Sequence, residues 1–236
     1  PERPEIMGKF VESIQGMSEA CKKLGYPVVA GNVSLYNETN GIAIPPTPAI
    51  GGVGLVPDLS LIADLALKGE GNTLLLLGAE DCHLGQTLYQ QIIAGELNGA
   101  PPPVDLDADI AAVTIIRLLI RSKLLSAVHV VSDGGLLVAV AEMCLAGAIG
   151  ATLDQPTSDL PTHAIWFGED QGRYVIEVSS DNVDSVATLA RDAGIACRKI
   201  GQTGGTDIEI SDEPGISLAD LRANHEGWLP NYMDGT

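Results

Sequence analysis

The spacing of apolar residues predicts one helix at the start of the chain. Over residues 4–24, apolar side chains recur every three or four positions, and Gly25 is placed to cap the C-terminal end. Residues 28–36 and 49–56 are apolar and rich in valine or glycine, which predicts two strands. The N-terminal quarter is therefore expected to hold a helix followed by two strands.

The rest of the chain alternates between short apolar segments and helical periods. Strands are predicted at 73–77, 127–131, 173–178, 196–200 and 207–210, and helices at 84–94, 110–125, 136–146 and 183–193. Thr203-Gly204-Gly205 predicts a hairpin turn, and a last helix is expected from Ser217. This alternation is typical of an α/β or α+β fold with a mixed sheet. The polar patch Lys68–Asn72 predicts a boundary between domains 1–68 and 69–236.

Composition argues against two classes of binding partner, nucleic acids and anionic membranes. The 236 residues include 13 Lys and Arg against 31 Asp and Glu, a formal charge of −18. Nucleic acids and anionic membranes reward clustered basic residues, so neither is an expected partner. Aromatic residues make up only 4% of the chain, which also argues against a platform for stacking bases.

The cysteines and histidines show no metal-site spacing. The four cysteines (Cys21, Cys82, Cys144 and Cys197) are scattered through apolar segments, and no two form a C-x-x-C pair. That usage predicts reduced thiols in a cytoplasmic protein. The longest charge-free run, residues 39–57, contains four prolines and four glycines and is not expected to cross a membrane.

The segment Gly31-Asn32-Val33-Ser34-Leu35-Tyr36-Asn37-Glu38-Thr39 carries the most chemistry. On a strand, Asn32 and Ser34 share one face at a spacing of about 7 Å. Gly31 would let a phosphate approach the main chain. Two polar side chains on an apolar strand need partners. A ligand or hydrated metal would serve, and so would neighbouring backbone at the end of an ordinary strand.

Two other motifs also allow two interpretations each. Ser132-Asp133-Gly134-Gly135 follows a predicted strand and opens a helix, so Ser132 or Asp133 could cap it. The N–H groups of that turn could hold a phosphate, or the turn could be purely structural. In the same way, Glu169, Asp170 and Arg173 could meet a ligand or be solvated loop charges.

The motifs together resemble phosphoribosylformylglycinamidine synthase, the glutamine-dependent ligase family of purine biosynthesis. GNVSLYNET at residues 31–39 is the specific one. The other matching segments are PEIMGKFV, TPAIGGVGLV, SDGGL, FGEDQGR, IGQTGG and EGWLPNYM. They occur in the family's order and spacing, so the resemblance covers the whole chain.

The resemblance implies an architecture. The family's synthetase subunit contains two tandem copies of an N-terminal-like and a C-terminal-like domain. Residues 1–68 would be the remnant of the second N-terminal-like, ATP- and magnesium-binding domain. Residues 69–236 would be a complete C-terminal-like domain, both of the type found in AIR synthetase. The family's catalytic histidine lies upstream, so no catalytic residue is assigned, and this chain alone is expected to be inactive.

The resemblance also implies site residues, substrates and partners. Gly31 would contact ATP, Asn32 would help to hold Mg²⁺, and Ser34 would contact formylglycinamide ribonucleotide. The implied reaction is an ATP-dependent carbon–nitrogen ligation with ammonia from glutamine, which gives formylglycinamidine ribonucleotide. Its partners would be a glutaminase component and a small subunit of the synthase complex, in the cytoplasm.

Other interpretations remain open. Aminoimidazole ribonucleotide synthetase and selenide water dikinase share the architecture, although GNVSLYNET argues against them. Alternatively, this copy could be a structural half that holds a nucleotide only for stability. Exposed domain surfaces also make self-association of the chain an expectation.

Overall fold

The computed structural model describes residues 3–33, 38–79, 82–211 and 213–235. The chain divides into two compact units, Pro1–Pro57 and Asp58–Thr236. This division lies upstream of the predicted boundary at residue 68, and the proposed domains 1–68 and 69–236 stay a prediction. None of the helices in the described residues is long and apolar enough to cross a membrane.

The first unit is organised around helix α1 (Pro4–Lys23). Pro4 occupies the first turn and Lys22 and Lys23 the last, where they complement the helix dipole. Strands β1 (Glu38–Thr39) and β2 (Ile42–Ala43) form an antiparallel hairpin. Its turn residues have positive φ, 52° at Asn40 and 77° at Gly41, the backbone that such a two-residue turn requires.

The two strands predicted in this unit are not observed. Val28–Val33 and Ala49–Val56 have no regular structure, and residues 34–36 of the first prediction lie outside the described residues. A strand needs a partner to satisfy its backbone groups. In the described part of the unit, only β1 and β2 pair with each other. Apolar side chains are consequently left exposed, and Val29 has 92% of its surface accessible.

The second unit is built on one seven-stranded sheet. The strands are β3 (Thr73–Leu77), β4 (Ala127–Val130), β5 (Ala151–Leu153), β6 (Tyr174–Val178), β7 (Cys197–Thr203), β8 (Asp207–Ile210) and β9 (Ile216–Ser217). Their order across the sheet is β4-β6-β3-β7-β5-β8-β9. The β5–β8 pair is parallel and the other pairs are antiparallel, which confirms the predicted mixed sheet.

Helices cover both faces of the sheet. They are α2 (Leu106–Arg121), α3 (Gly135–Gly147), α4 (Thr162–Phe167), α5 (Val183–Asp192) and α6 (Leu218–Asp234). Because side chains alternate along a strand, Leu74 and Leu76 pack with α3, α4 and α6, whereas Leu75 and Leu77 pack with α2 and α5. Strand β3 is buried along its whole length and lies at the centre of this three-layer α/β domain.

Two local predictions in this unit are wrong. Residues 203–205 do not form a hairpin, because β5 lies between β7 and β8 and pairs with both. Of residues 84–94 only 88–94 are helical, mostly as the π-helical turn Gln90–Ala94, in place of a full helix. Ile92 and Ile93 are exposed there, so the segment lacks the buried face that stabilises a surface helix.

A buried carboxylate fastens the segment that leads into the sheet. Glu177 on β6 is fully buried. Its oxygens accept hydrogen bonds from the Lys68 N–H at 2.9 and 3.1 Å, from the Gly69 N–H at 3.1 Å and from Asn72 Nδ2 at 2.8 Å. Thr203 Oγ1 accepts a further bond from the Asn72 N–H at 3.0 Å. The polar patch whose composition is typical of a linker is therefore held by the sheet.

Removing this carboxylate should destabilise the domain. In Glu177→Gln, an amide NH₂ replaces one acceptor oxygen and faces main-chain donors. We expect the free energy of unfolding to fall by about 1–3 kcal/mol, measured by urea denaturation. The control is Glu209→Gln, which removes the same charge from an exposed position on β8 and should change stability by less than about 0.5 kcal/mol. Equal effects of the two changes would contradict the assigned role.

Alkaline pH should destabilise the domain through a buried thiol. Cys144 on α3 is fully buried, and burial raises its pKa from 9.0 to about 12. The native state therefore keeps a proton that the unfolded state releases above pH 9. Stability should fall between pH 9 and pH 12 by at most about 1.4 kcal/mol per pH unit from this group.

The matched variant isolates that contribution. Burial also raises the pKa values of Cys197 and Tyr174, so they act in the same direction. Cys144→Ala should therefore reduce the alkaline slope of stability without abolishing it, as measured by denaturation at pH 8 and pH 10. An unchanged slope would show that the thiol does not ionise on unfolding.

Candidate functional site

Gly31 and Asn32 lie on an exposed stretch that follows α1. Helix α1 ends at Lys23. The N–H of the capping residue Leu24 bonds back to the Ala20 carbonyl, and Gly25 then adopts a φ of 62°. Residues 26–33 run on without regular structure. A Cβ built on Gly31 would meet no atom within 4 Å, so the main chain there is open to a ligand.

Three side-chain contacts organise the unit around this stretch. Tyr26 donates a hydrogen bond from its hydroxyl to the Gly51 carbonyl at 2.7 Å, which ties the stretch to the second glycine-rich segment. Ser13 donates to the Pro46 carbonyl at 3.4 Å. Arg3 Nη2 forms an ion pair with Glu38 Oε2 at 2.9 Å. The helix and the residues that flank it are thus tethered to the segments that follow the candidate residues.

The two predicted site residues that the structure describes, Gly31 and Asn32, are exposed. Asn32 is exposed, and its side chain makes no hydrogen bond to another residue in the described part of the chain. Ser34, predicted to contact the substrate, lies outside the described residues, as do Tyr36 and Asn37. The structure therefore places Gly31 and Asn32 together on an open surface, and the roles of Gly31, Asn32 and Ser34 stay predictions.

The described residues do not complete a magnesium site. Mg²⁺ prefers an octahedral shell of oxygen ligands, usually carboxylates, phosphates and water. The carboxamide of Asn32 can supply one oxygen. Across ranges 3–33, 38–79, 82–211 and 213–235, no group of three or more His, Cys, Asp or Glu side chains could hold a metal ion. The predicted role of Asn32 in holding Mg²⁺ therefore stays a prediction.

The Ser132–Gly135 turn is not capped as its sequence suggested. Helix α3 begins after Gly134, at which φ is 82°, and neither Ser132 nor Asp133 caps it. The Gly134 N–H instead donates to Glu169 Oε1 at 2.8 Å. An internal carboxylate therefore takes a donor that a phosphate would need, and this supports the structural interpretation of the turn.

The acidic motif at residues 169–173 is a structural hub rather than a set of solvated charges. Asp170 and Arg173 are 6% and 0% exposed, and Arg173 Nη1 lies 3.4 Å from Asp170 Oδ2. Asp170 also accepts hydrogen bonds from the N–H groups of Cys82 at 3.0 Å and His83 at 2.8 Å. Sequence reasoning missed this hub, although an acid and an arginine three residues apart, just before an apolar strand, were a visible signal.

Burial changes the ionisation of two neighbours of this hub. A Cβ on Gly172 would lie 2.6 Å from Asp109 Oδ1, so α2 approaches the motif closely there. Burial, with a smaller effect of the Asp105 charge, raises the pKa of Asp109. Burial and then the charge of Asp109 raise the pKa of Tyr174. Tyr174 is therefore a neutral phenol at neutral pH, unsuited to act as a base.

Comparisons with known proteins agree with this architecture. The family model described as "AIR synthase related protein, C-terminal domain" matches residues 69–212, which is more than half of the chain. The model described as "AIR synthase related protein, N-terminal domain" matches residues 1–56. The second unit therefore contains the C-terminal domain type, and the first unit matches the N-terminal type.

Curated relatives match the chain over its whole length. The phosphoribosylformylglycinamidine synthase subunit PurL of Methylocella silvestris is 51% identical over 233 residues, which covers 99% of this chain and 32% of the relative. That of Rhodopseudomonas palustris (strain BisB5) is 50% identical over 235 residues, 100% of this chain and again 32% of the relative. The chain spans about a third of the length of these relatives.

Solved structures share the fold. PurL of T. maritima complexed with ATP aligns with a TM-score of 0.56 and 14% identity, covering 69% of this chain and 27% of that one. The T. maritima PurL complexed with FGAR aligns with a TM-score of 0.58 and 14% identity, covering 69% of this chain and 30% of that one. The PurLQS structure from Thermotoga maritima aligns with a TM-score of 0.55 and 14% identity, covering 68% of this chain and 27% of that one.

The fold, the two domain matches and the identity to PurL subunits along the whole of this chain lead to one conclusion. The resemblance predicted from GNVSLYNET and its companion motifs is confirmed. The chain belongs to the AIR synthase related protein family.

Proposed function

We propose that this chain is the C-terminal part of a phosphoribosylformylglycinamidine synthase subunit, an ATP-dependent carbon–nitrogen ligase. The observation that carries the proposal is the identity of about 50% to PurL subunits along the entire chain. These relatives are about three times as long as this chain, so the proposal assigns the rest of the subunit to polypeptide outside the 236 residues. The substrates are formylglycinamide ribonucleotide, ATP and ammonia derived from glutamine, and the product is formylglycinamidine ribonucleotide.

The site residues would act by binding and positioning. Gly31 contacts ATP through its main chain, which the open space around its Cα supports. Asn32 offers a carboxamide oxygen to Mg²⁺ from an exposed position. Ser34 contacts the ribonucleotide. Mg²⁺, when bound, neutralises charge on the transferring phosphoryl group.

The chemistry follows from the substrates. The glycinamide carbonyl oxygen of the ribonucleotide takes the γ-phosphoryl group of ATP, which releases ADP, and becomes part of a leaving group. The nitrogen of ammonia then attacks the activated carbon, and inorganic phosphate departs with the former carbonyl oxygen, while the formyl group is unchanged. Orientation of the two reactants and stabilisation of the phosphoryl charge supply most of the acceleration.

The partners follow from the same relationship. A glutaminase component supplies ammonia and a small subunit completes the complex, a composition in keeping with the name PurLQS of the T. maritima structure. The complex would act in the cytoplasm, where the chain's free thiols stay reduced. Apolar side chains exposed in the first unit, such as Val29 and Val53, make self-association of the isolated chain a further proposal.

The isolated 236 residues should not catalyse the reaction. Asn32 offers one metal ligand, and no catalytic residue is assigned to this chain. With formylglycinamide ribonucleotide, MgATP and ammonium chloride, phosphate release should stay at the level of a blank without protein. The control is the full-length subunit in the same assay. Turnover by the isolated chain above the blank would refute the assignment of the catalytic groups to other segments.

A methyl group at Gly31 should weaken ATP binding in the full-length subunit without affecting its stability. Gly31→Ala adds a Cβ into open space in the protein, so only a bound ligand would meet it. We expect KM for ATP to rise about tenfold, equivalent to about 1.4 kcal/mol, with an unchanged melting temperature. The control is Gly54→Ala, another glycine without neighbours within 4 Å, which should leave KM unchanged.

The same pair of variants tests the structural alternative. If this copy holds a nucleotide only for stability, Gly31→Ala should leave turnover intact and remove the rise in melting temperature that ATP produces. An unchanged KM together with an unchanged ATP-dependent melting temperature would show that Gly31 does not contact the nucleotide.

A further inference from the structure

One oxygen atom of Glu169 joins two segments that are distant in sequence. Glu169 Oε1 accepts a hydrogen bond from the Gly134 N–H at 2.8 Å and another from the Leu88 N–H at 2.9 Å. The main-chain N–H of Glu169 also donates to the His83 carbonyl at 3.0 Å. The residue therefore connects the turn that opens α3 with the segment around residues 83–88.

Residues 86–99 form a loop that closes on itself. Gln90 Oε1 accepts hydrogen bonds from the Gln86 N–H at 3.2 Å and from the Asn98 N–H at 2.9 Å. Gln86 Nε2 donates to the Gly99 carbonyl at 3.0 Å, so the two ends of the loop lie together. The loop is therefore held closed by hydrogen bonds among its own residues.

The loop is fastened near its start and is exposed at its tip. Tyr89 stacks with His163 and Phe167 at centroid distances of 5.3 and 5.4 Å, next to the Leu88 bond to Glu169. Ile92 and Ile93 at the tip are 71% and 68% exposed. A contact made at the exposed tip would therefore reach the rest of the domain through Leu88 and Tyr89, which fasten the start of the loop.

The turn at the other end of the Glu169 contact cannot adjust freely. Gly134 and Gly135 have φ values of 82° and 77°, and a Cβ on Gly135 would lie 2.7 Å from the Phe167 main chain. The turn is therefore tightly packed where α3 begins. A change in its hydrogen bonding is transmitted directly to the first turn of that helix.

We propose that Glu169 is a positioning residue that couples the 86–99 loop to the N-terminal turn of α3. Holding a glutamate side chain in one rotamer costs conformational entropy, and one oxygen accepts both bonds, so that cost is shared while the loop is docked. When the loop loosens, the whole cost falls on the bond to Gly134, which weakens. Two contacts that share an ordering cost are cooperative.

The coupling is tested by disturbing the loop and measuring the turn. Tyr89→Ala removes the stacking that docks the loop, and Gln90→Ala opens the loop by a different route. Both should raise the hydrogen-exchange rate of the Gly134 amide about fivefold or more, measured by NMR on the whole chain. Tyr89→Phe keeps the aromatic ring and should leave the rate unchanged.

Removing the Glu169 side chain tests whether the coupling runs through it. In Glu169→Ala, exchange at Gly134 should already be fast, and adding Tyr89→Ala should produce no further increase. Protection of the β3 amides in every variant confirms that the domain is folded. An unchanged Gly134 rate in both loop variants would overturn the proposal. So would the same increase with and without Glu169, which would assign the coupling to the packing of Phe167.

Discussion

Buried carboxylates in this protein are satisfied by main-chain N–H groups, and the larger domain depends on that arrangement. Glu177 accepts hydrogen bonds from residues 68–72, Asp170 from residues 82 and 83, and the partly buried Glu169 from residues 88 and 134. Asp170 is in addition paired with Arg173, at 3.4 Å. A buried charge without hydrogen-bond partners would cost several kcal/mol. The main-chain donors of these loops remove that cost, and the loops are in turn held in place against the domain.

The elements that sequence predicted well are those decided by local pattern. Strand β3 begins and ends where its apolar run does, and α3 and α5 agree with their predicted ranges to within one residue at each end. Helix α2 was placed four residues too late at both ends, because the capping Asp105 lies in a polar stretch that looked like loop. A local pattern thus fixes the type of an element more reliably than its start.

The elements that sequence missed depend on distant partners. Residues 28–33 and 49–56 have the composition of strands, but composition does not show whether a pairing edge is available. Strand β5 is only three residues long and showed no periodicity, yet it separates β7 from β8 and so removes the predicted hairpin. The candidate site had the same limits: the motif led to Gly31 and Asn32, whereas the role of Asp170 depends on backbone donors 87 and 88 residues away.

The position of β5 also constrains the order in which the molecule can form. Residues 151–153 lie between strands that begin at residues 197 and 207. Both edges of β5 therefore stay unpaired until some fifty further residues have been synthesised. Contacts of such wide sequence separation are slow to form because a long loop must close first. On the ribosome, α3 would emerge well before the strands that complete its layer. Its apolar surface would then be exposed until those strands have formed.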